Sequence, residues 1–165
     1  MQLFNIQHHN GPLLYFDLDT VITKNIDWIW KLPLNKFWTI RDFKYIWRPT
    51  AHTINSSVMW WDTGAFSKVW STFQNENLAM MMRRHPGDQD YLTAVLETQR
   101  LRFFPTNNVK SWRWQCLDGG FDFKTRKWKN PGTGTVVDSD TSILIFHGNP
   151  KPHESCDSVI TQHWK

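Results

Sequence analysis

Leu13-Leu14-Tyr15-Phe16-Asp17-Leu18-Asp19 sets a run of four apolar residues against two carboxylates spaced two apart. Side chains alternate across a sheet, so an unbroken apolar run of this length reads as a strand covered on both faces. The two aspartates therefore arrive at the carboxyl end of a buried strand. Close carboxylates repel each other, and a hard divalent cation such as Mn2+ or Mg2+ relieves that repulsion through oxygen ligands. The plain alternative is a solvated turn with two aspartates, since D-x-D spacing alone arises often by chance.

Outward from this stretch, Val21-Ile22 continues the apolar pattern, and the spacing predicts a short helix over 25–30. Strands are predicted over 37–40 and 57–61, with an irregular stretch over 41–52. Phe66, Val69, Trp70 and Phe73 recur at helical spacing. A short helix over 79–82 is broken by Pro86-Gly87, and Asp88 reads as the N-cap of a helix over 89–97 with Tyr91, Leu92, Val95 and Leu96 on its apolar face. Short strands are predicted over 101–104 and 109–114. The Gly-, Asp-, Thr- and Lys-rich stretch 117–140 has no periodicity and reads as a long loop. Ser142-Ile143-Leu144-Ile145-Phe146 is a last buried strand that delivers His147-Gly148, and 158–164 reads as a terminal helix. Strands alternating with helices point to an α/β layered fold. Ligands in such sheets sit beyond the carboxyl ends of strands, where both Asp17-Leu18-Asp19 and His147-Gly148 fall.

Composition narrows the class. The chain has 165 residues, one domain by length, with 40% hydrophobic and 21% charged residues. Mean hydropathy is −0.53, and no apolar run approaches the roughly 20 residues of a transmembrane helix. Residues 1–10 lack the charged-then-apolar pattern of a signal peptide. Two cysteines cannot build a disulfide framework, so a reducing, cytoplasmic setting is expected. The net charge of +4 suits phosphate-bearing partners, though a solvated basic surface explains it equally simply. Eleven tryptophans supply core volume and, where exposed, flat platforms for sugar or base rings.

Several other side chains can carry chemistry. His147 follows an apolar strand, and imidazole suits manganese better than magnesium; the simpler role is a hydrogen-bonded histidine at a strand end. In Gly148-Asn149-Pro150-Lys151-Pro152, Gly148 lets backbone N–H groups approach an anion and Lys151 can neutralise a phosphate. Asp88 and Gln89 open a helix, and Asp88 can either cap it or accept hydrogen bonds from sugar hydroxyls. Asn55-Ser56-Ser57 offers polar groups of similar use or ordinary turn chemistry.

In order along the chain, Tyr15-Phe16-Asp17-Leu18-Asp19-Thr20, Ile54-Asn55-Ser56-Ser57-Val58, Gly87-Asp88-Gln89-Asp90 and Phe146-His147-Gly148-Asn149-Pro150-Lys151 resemble the motif series of family 8-like glycosyltransferases of the GT-A fold. The resemblance spans about residues 12–152. It implies an α/β fold with a GT-A-like mixed sheet flanked by helices. It implies Mn2+ or Mg2+ on Asp17, Asp19 and His147, holding the diphosphate of a nucleotide sugar, most simply UDP-linked. Lys151 and Gly148 would also meet that diphosphate. Asn55, Asp88 and Gln89 would face the donor sugar, with Asp88 and Gln89 nearest the chemistry, and the acceptor would be a glycan, protein or lipid. Three departures stand out. Ser56-Ser57 replaces the family's small-residue-and-glycine step. Lys151 follows His147 more closely than in the family pattern. Only about a dozen residues precede the D-x-D strand, so the domain is expected to be truncated ahead of it, as a fragment or a reduced protein.

Other readings stay open. Phe16-Asp17-Leu18-Asp19-Thr20 also resembles the first motif of haloacid-dehalogenase-type phosphatases, with Asp17 as nucleophile, although the glycine between the second aspartate and the threonine is missing. Trp112-Arg113-Trp114 and the basic stretch 124–129 mix aromatic and cationic groups, as a non-enzymatic module for single-stranded nucleic acid would; core tryptophans beside a charged loop are preferred, and nucleic acid is not the expected partner. His147, His153, Cys156 and His163 match no compact zinc spacing.

Overall fold

The first apolar run forms strand β1 (Pro12–Phe16) in the computed structural model, which describes residues 1–50, 53–96, 98–117, 121–122, 125, 127–128 and 134–164. The other strands are β2 (Thr20–Ile22), β3 (Phe37–Arg41), β4 (Ile54–Asp62), β5 (Leu101–Phe103), β6 (Val109–Ser111), β7 (Phe121–Asp122), β8 (Lys127–Trp128) and β9 (Ile143–Ile145). The α-helices are α1 (Lys68–Asn75), α2 (Leu78–Arg84), α3 (Asp88–Val95) and α4 (Ser158–His163). The chain divides into two units, Met1–Phe16 with Leu32–Phe103, and Asp17–Lys31 with Phe104–Lys165.

The first unit holds a four-stranded sheet in the order β1-β4-β3-β5, with β3 and β5 parallel and the other pairs antiparallel. β4 is buried from Val58 to Trp61, which explains its continuous apolar run. Helices α1, α2 and α3 contribute Val69, Met81, Tyr91 and Leu92 to one core with Phe4, Phe37, Trp61 and Phe66. Phe4 stacks on Trp61 at 4.9 Å, and Phe66 meets Phe37 edge-on at 5.5 Å. α3 is tied to β4 through Thr93, whose hydroxyl donates to the Gln89 carbonyl (2.6 Å) and accepts the Ile54 N–H (3.3 Å).

Thr39 faces Met59 across β3 and β4, whereas Ile40 faces Asn55, so Ser56, Ser57 and Val58 are extra residues on β4. The fully buried Thr39 hydroxyl closes this bulge on the Asn55 (2.8 Å) and Val58 (3.2 Å) carbonyls. Bulges of this kind re-aim side chains and are common beside functional sites. Here the bulged segment is the polar motif singled out in the sequence.

The second unit is built on a three-stranded sheet, β2-β9-β6. β9 is entirely buried at its centre, antiparallel to β2 and parallel to β6. Val21, Leu144, Phe146, Trp112, Cys116 and Ile160 of α4 form its core, with Trp112 stacked on Phe146 at 4.4 Å and 12°. α4 starts cleanly because the Asp157 carboxylate accepts the Val159 N–H (2.9 Å).

Several expectations change. Val21-Ile22 is not an extension of the first strand but β2 of the other sheet, because the chain turns at Asp17–Asp19. The predicted helix over 25–30 is only a 3-10 turn at Ile29–Lys31. The predicted strand over 109–114 stops at Ser111, where a wide π-type turn, Trp112–Cys116, takes over. Within 117–140 a two-stranded ribbon forms from β7 and β8, and Leu117 bridges Thr135. The rest of that stretch, like Glu97 at the end of the predicted helix, lies largely outside the described residues. The stretch 41–52 contains a 3-10 turn at Phe43–Ile46, started by Asp42, whose side chain accepts the Lys44 N–H (2.9 Å).

Candidate functional site

In the second unit the ladder between β2 and β9 runs one step past the strands: the Phe146 N–H donates to the Asp19 carbonyl at 2.9 Å. The turn before it closes with the Thr20 N–H on the Asp17 carbonyl (3.2 Å). Asp17-Leu18-Asp19 and Phe146-His147-Gly148, more than a hundred residues apart in sequence, are thereby brought side by side. Leu18 points to solvent, 88% exposed, and the flanking aspartates are half-buried.

The side chains make specific pairs. Lys151 Nζ donates to Asp19 Oδ2 in an ion pair, both partners about one-third exposed (33% and 34%). The Lys151 N–H in turn donates to Glu154 Oε2 (2.6 Å), which ties the start of the following 3-10 turn, and buried Pro152 anchors that turn. His147 Nε2 lies 2.6 Å from Ser111 Oγ, and its ring packs edge-on against Trp114 at 4.2 Å. Ser111 is fully buried at the end of β6, and its Oγ also accepts the Trp114 N–H (3.1 Å) as the cap of the π-type turn. The same turn carries Arg113. A Cβ placed on Gly148 would stand 3.1 Å from Arg113 Nη1, and Gly148 has φ of +77°. The left-handed backbone favours glycine there, and a side chain would also make the guanidinium tip give way by a few tenths of an ångström.

A second ion pair stands on β6. Lys110 of β6 pairs with Asp138 and holds that exposed carboxyl below the usual carboxylate range, by hydrogen bonding and by charge. Beneath the turn, burial pushes the Cys116 thiol up to about 12, which leaves it neutral and unreactive.

In the first unit the bulge presents Ser56 to the start of α3. The Ser56 hydroxyl donates to Asp88 Oδ2 at 2.9 Å. Asp88 is therefore not the cap of α3, contrary to expectation. Gly87 is the N-cap, and its N–H donates to Asp90 Oδ2 (3.2 Å). Asp88 is drawn off by a side chain from a distant strand, a partner invisible to local helix rules. Asn55 is used structurally, its Oδ1 accepting the Ser57 N–H (3.0 Å), and the Gln89 carbonyl takes the Thr93 hydroxyl.

The structure thus places Asp17, Asp19, His147, Gly148 and Lys151 in the second unit, and Asn55, Asp88 and Gln89 in the first. Asp17, Asp19 and His147 do not form a ligand set. Among the described residues no three His, Cys, Asp or Glu side chains converge as a metal site. The physical reason lies in the pairs above: one Asp19 oxygen faces an ammonium, and the His147 Nε2 faces Ser111. The zinc set of His147, His153, Cys156 and His163 fails on the same ground, and His163 Nδ1 sits instead 2.8 Å from the Val159 carbonyl of its own helix. Sequence reading missed Ser111, a small residue with no pattern to betray it. It noticed Arg113 only within an aromatic and basic cluster. Trp112 of that cluster is core, 5% exposed with its Nε1 on Thr135 Oγ1 (2.7 Å), so it offers no stacking platform.

No protein-family model and no curated protein matches the chain. Solved structures do match. WbbM, a bifunctional glycosyltransferase in its apo form, aligns with TM-score 0.54 and 13% identity over 86% of this chain and 30% of its own. An active-site mutant of the glycosyltransferase LgtC aligns with TM-score 0.58 and 12% identity over 99% of this chain and 66% of its own. The chain therefore spans between about a third and two thirds of these proteins. Among the described residues no helix is long and apolar enough to cross a membrane. The fold is α/β and GT-A-like, mixed sheets flanked by helices, as in these glycosyltransferases.

Proposed function

We propose that this chain carries the donor-binding part of a glycosyltransferase that takes a sugar from a nucleoside-diphosphate sugar, UDP-linked by the family 8-like resemblance, to a glycan, protein or lipid acceptor. One observation carries the reading. In a glycosyltransferase fold, the Phe146 N–H to Asp19 bond gathers a D-x-D turn and a His-Gly-x-x-Lys segment at one sheet end. Sugar transfer leaves negative charge on the departing diphosphate, and fixed cations and backbone dipoles aimed at that charge lower the barrier. Lys151, Arg113 and the left-handed Gly148 are the groups here suited to that work. In the first unit one Asp88 oxygen accepts the Ser56 hydroxyl; by the family 8-like resemblance Asn55, Asp88 and Gln89 would recognise sugar hydroxyls.

Mn2+ or Mg2+ on Asp17, Asp19 and His147 would supply Lewis-acid help to the leaving group. The side chains as arranged do not fit such an ion, because Lys151 holds an Asp19 oxygen and Ser111 meets the imidazole nitrogen. The phosphatase reading of Asp17 draws no support from the fold.

The test is a thermal melt of the full chain with UDP-, GDP- and ADP-sugars. A nucleotide sugar at a hundredfold excess over its Kd adds about 2.7 kcal/mol, or roughly 5–10 °C for a chain of this size. Asp19→Ala is expected to abolish the gain. Absence of any shift with every nucleotide sugar at millimolar concentration, with and without Mn2+, ends the proposal.

A further inference from the structure

We infer that Lys151 is the resident cation of this site, so that the chain binds a nucleoside diphosphate without a divalent metal. This rests on the donor-site reading above and concerns only what balances the charge there.

Three observations converge. First, the Lys151 ammonium occupies one oxygen of Asp19, one of the two carboxylates a metal would need. Second, the imidazole nitrogen Nε2 of His147 is turned to the fully buried Ser111 hydroxyl at 2.6 Å, and the Trp114 ring lies against the imidazole. Third, Arg113 stands within contact of Gly148, three residues before Lys151, where a side chain on residue 148 would press on the guanidinium at 3.1 Å. Lysine and arginine together bring the two positive charges that one divalent ion would bring. The positive-φ glycine between them leaves the backbone open to an anion. Lysine binds phosphate as a point charge and arginine through a planar fork, so the two divide the task naturally.

The pair of Lys151 with Asp19 has little to do with stability. Ion pairs this exposed contribute little to a fold. Yet the lysine is placed with care: its own N–H is held by Glu154, and the next residue, Pro152, is buried. Asp19 then acts as the anchor that stands the ammonium at the end of the sheet, a positioning residue rather than a metal ligand.

The experiment is isothermal titration of the full chain with UDP, once in EDTA and once in Mn2+. The Kd is expected to agree between the two buffers within about twofold. Lys151→Met should weaken binding by about tenfold or more in both, the loss expected for one charge-assisted hydrogen bond, and Lys151→Arg should recover part of it. UDP binding that appears only with Mn2+ overturns the inference while leaving the donor-site reading intact. So does a Lys151→Met chain that binds UDP with Mn2+ as tightly as the native chain or more so. Failure of UDP to bind in either buffer removes both. The two-buffer comparison on the native chain decides the matter even if a variant does not fold.

Discussion

Ser111→Ala is expected to unfasten the turn beneath the site. The residue is fully buried, and its Oγ does two things: it caps the π-type turn through the Trp114 N–H (3.1 Å) and it meets His147 Nε2 (2.6 Å). Loss of a side-chain cap costs about 1 kcal/mol, within a range of roughly 0.5–2. Loss of the hydrogen bond to the half-buried His147 ring costs about another 0.5–1.5 kcal/mol. The expected total is about 2 kcal/mol, or a Tm lower by roughly 4–8 °C in a chain of this size. The Ser111 N–H, which donates to Gln115 Oε1 (3.0 Å), survives the change, so the strand itself should remain. Urea denaturation followed by tryptophan fluorescence reads the loss directly, since Trp112 and Trp114 flank the removed hydroxyl. Ser139→Ala is the control, an exposed serine whose hydroxyl bonds, among the described residues, the neighbouring Asp140 side chain alone, with an expected loss below about 0.5 kcal/mol. If the two variants melt alike, Ser111 does not hold the His147 side of the site and the geometry described above is wrong.

Other outcomes follow from the same coordinates. Gly148→Ala should cost about 1–2 kcal/mol from the left-handed backbone alone, with extra strain against Arg113, and a urea titration unchanged from native would refute the positive φ. Thr20 is 8% exposed and its hydroxyl has no hydrogen-bond partner among the described residues, so Thr20→Val should leave the protein as stable or raise stability by about 1 kcal/mol; a clear loss would show that the hydroxyl is satisfied. The Cys116 thiol, pushed up to about 12 by burial, stays protonated in the fold while the unfolded thiol ionises near pH 8.5. Between those values the folded state binds more protons, so this group's stabilisation, complete below the unfolded value, is lost as pH rises toward 12, by an amount on the order of 4–5 kcal/mol. Cys116→Ala should flatten that alkaline decline in denaturant titrations. At pH 8 a thiol reagent should modify Cys156 at once and Cys116 only after unfolding.

The strands were legible because an apolar run leaves a local trace. Ile143 to Ile145 is buried throughout, as its run suggests, whereas Leu13 to Phe16 forms the edge strand β1 with its residues only half-buried, so the same kind of run did not mean cover on both faces. Helical spacing likewise announced Val69 and the Tyr91–Leu92 face. The same local rules misassigned Asp88, since a good N-cap by type was claimed by Ser56, and they joined Val21-Ile22 to a strand from which a turn separates it.

From the order of its residues alone, this protein settles where the longer apolar strands lie, that two of them end in aspartates and in a histidine-glycine step, and that the fold is α/β. Only tertiary structure decided who meets whom at those ends. Lys151 reaches Asp19 across 132 positions and Ser111 meets His147 across 36. Such partnerships are set by strand register and by the turn after β6, long-range hydrogen bonding that leaves no periodicity in the residues it joins.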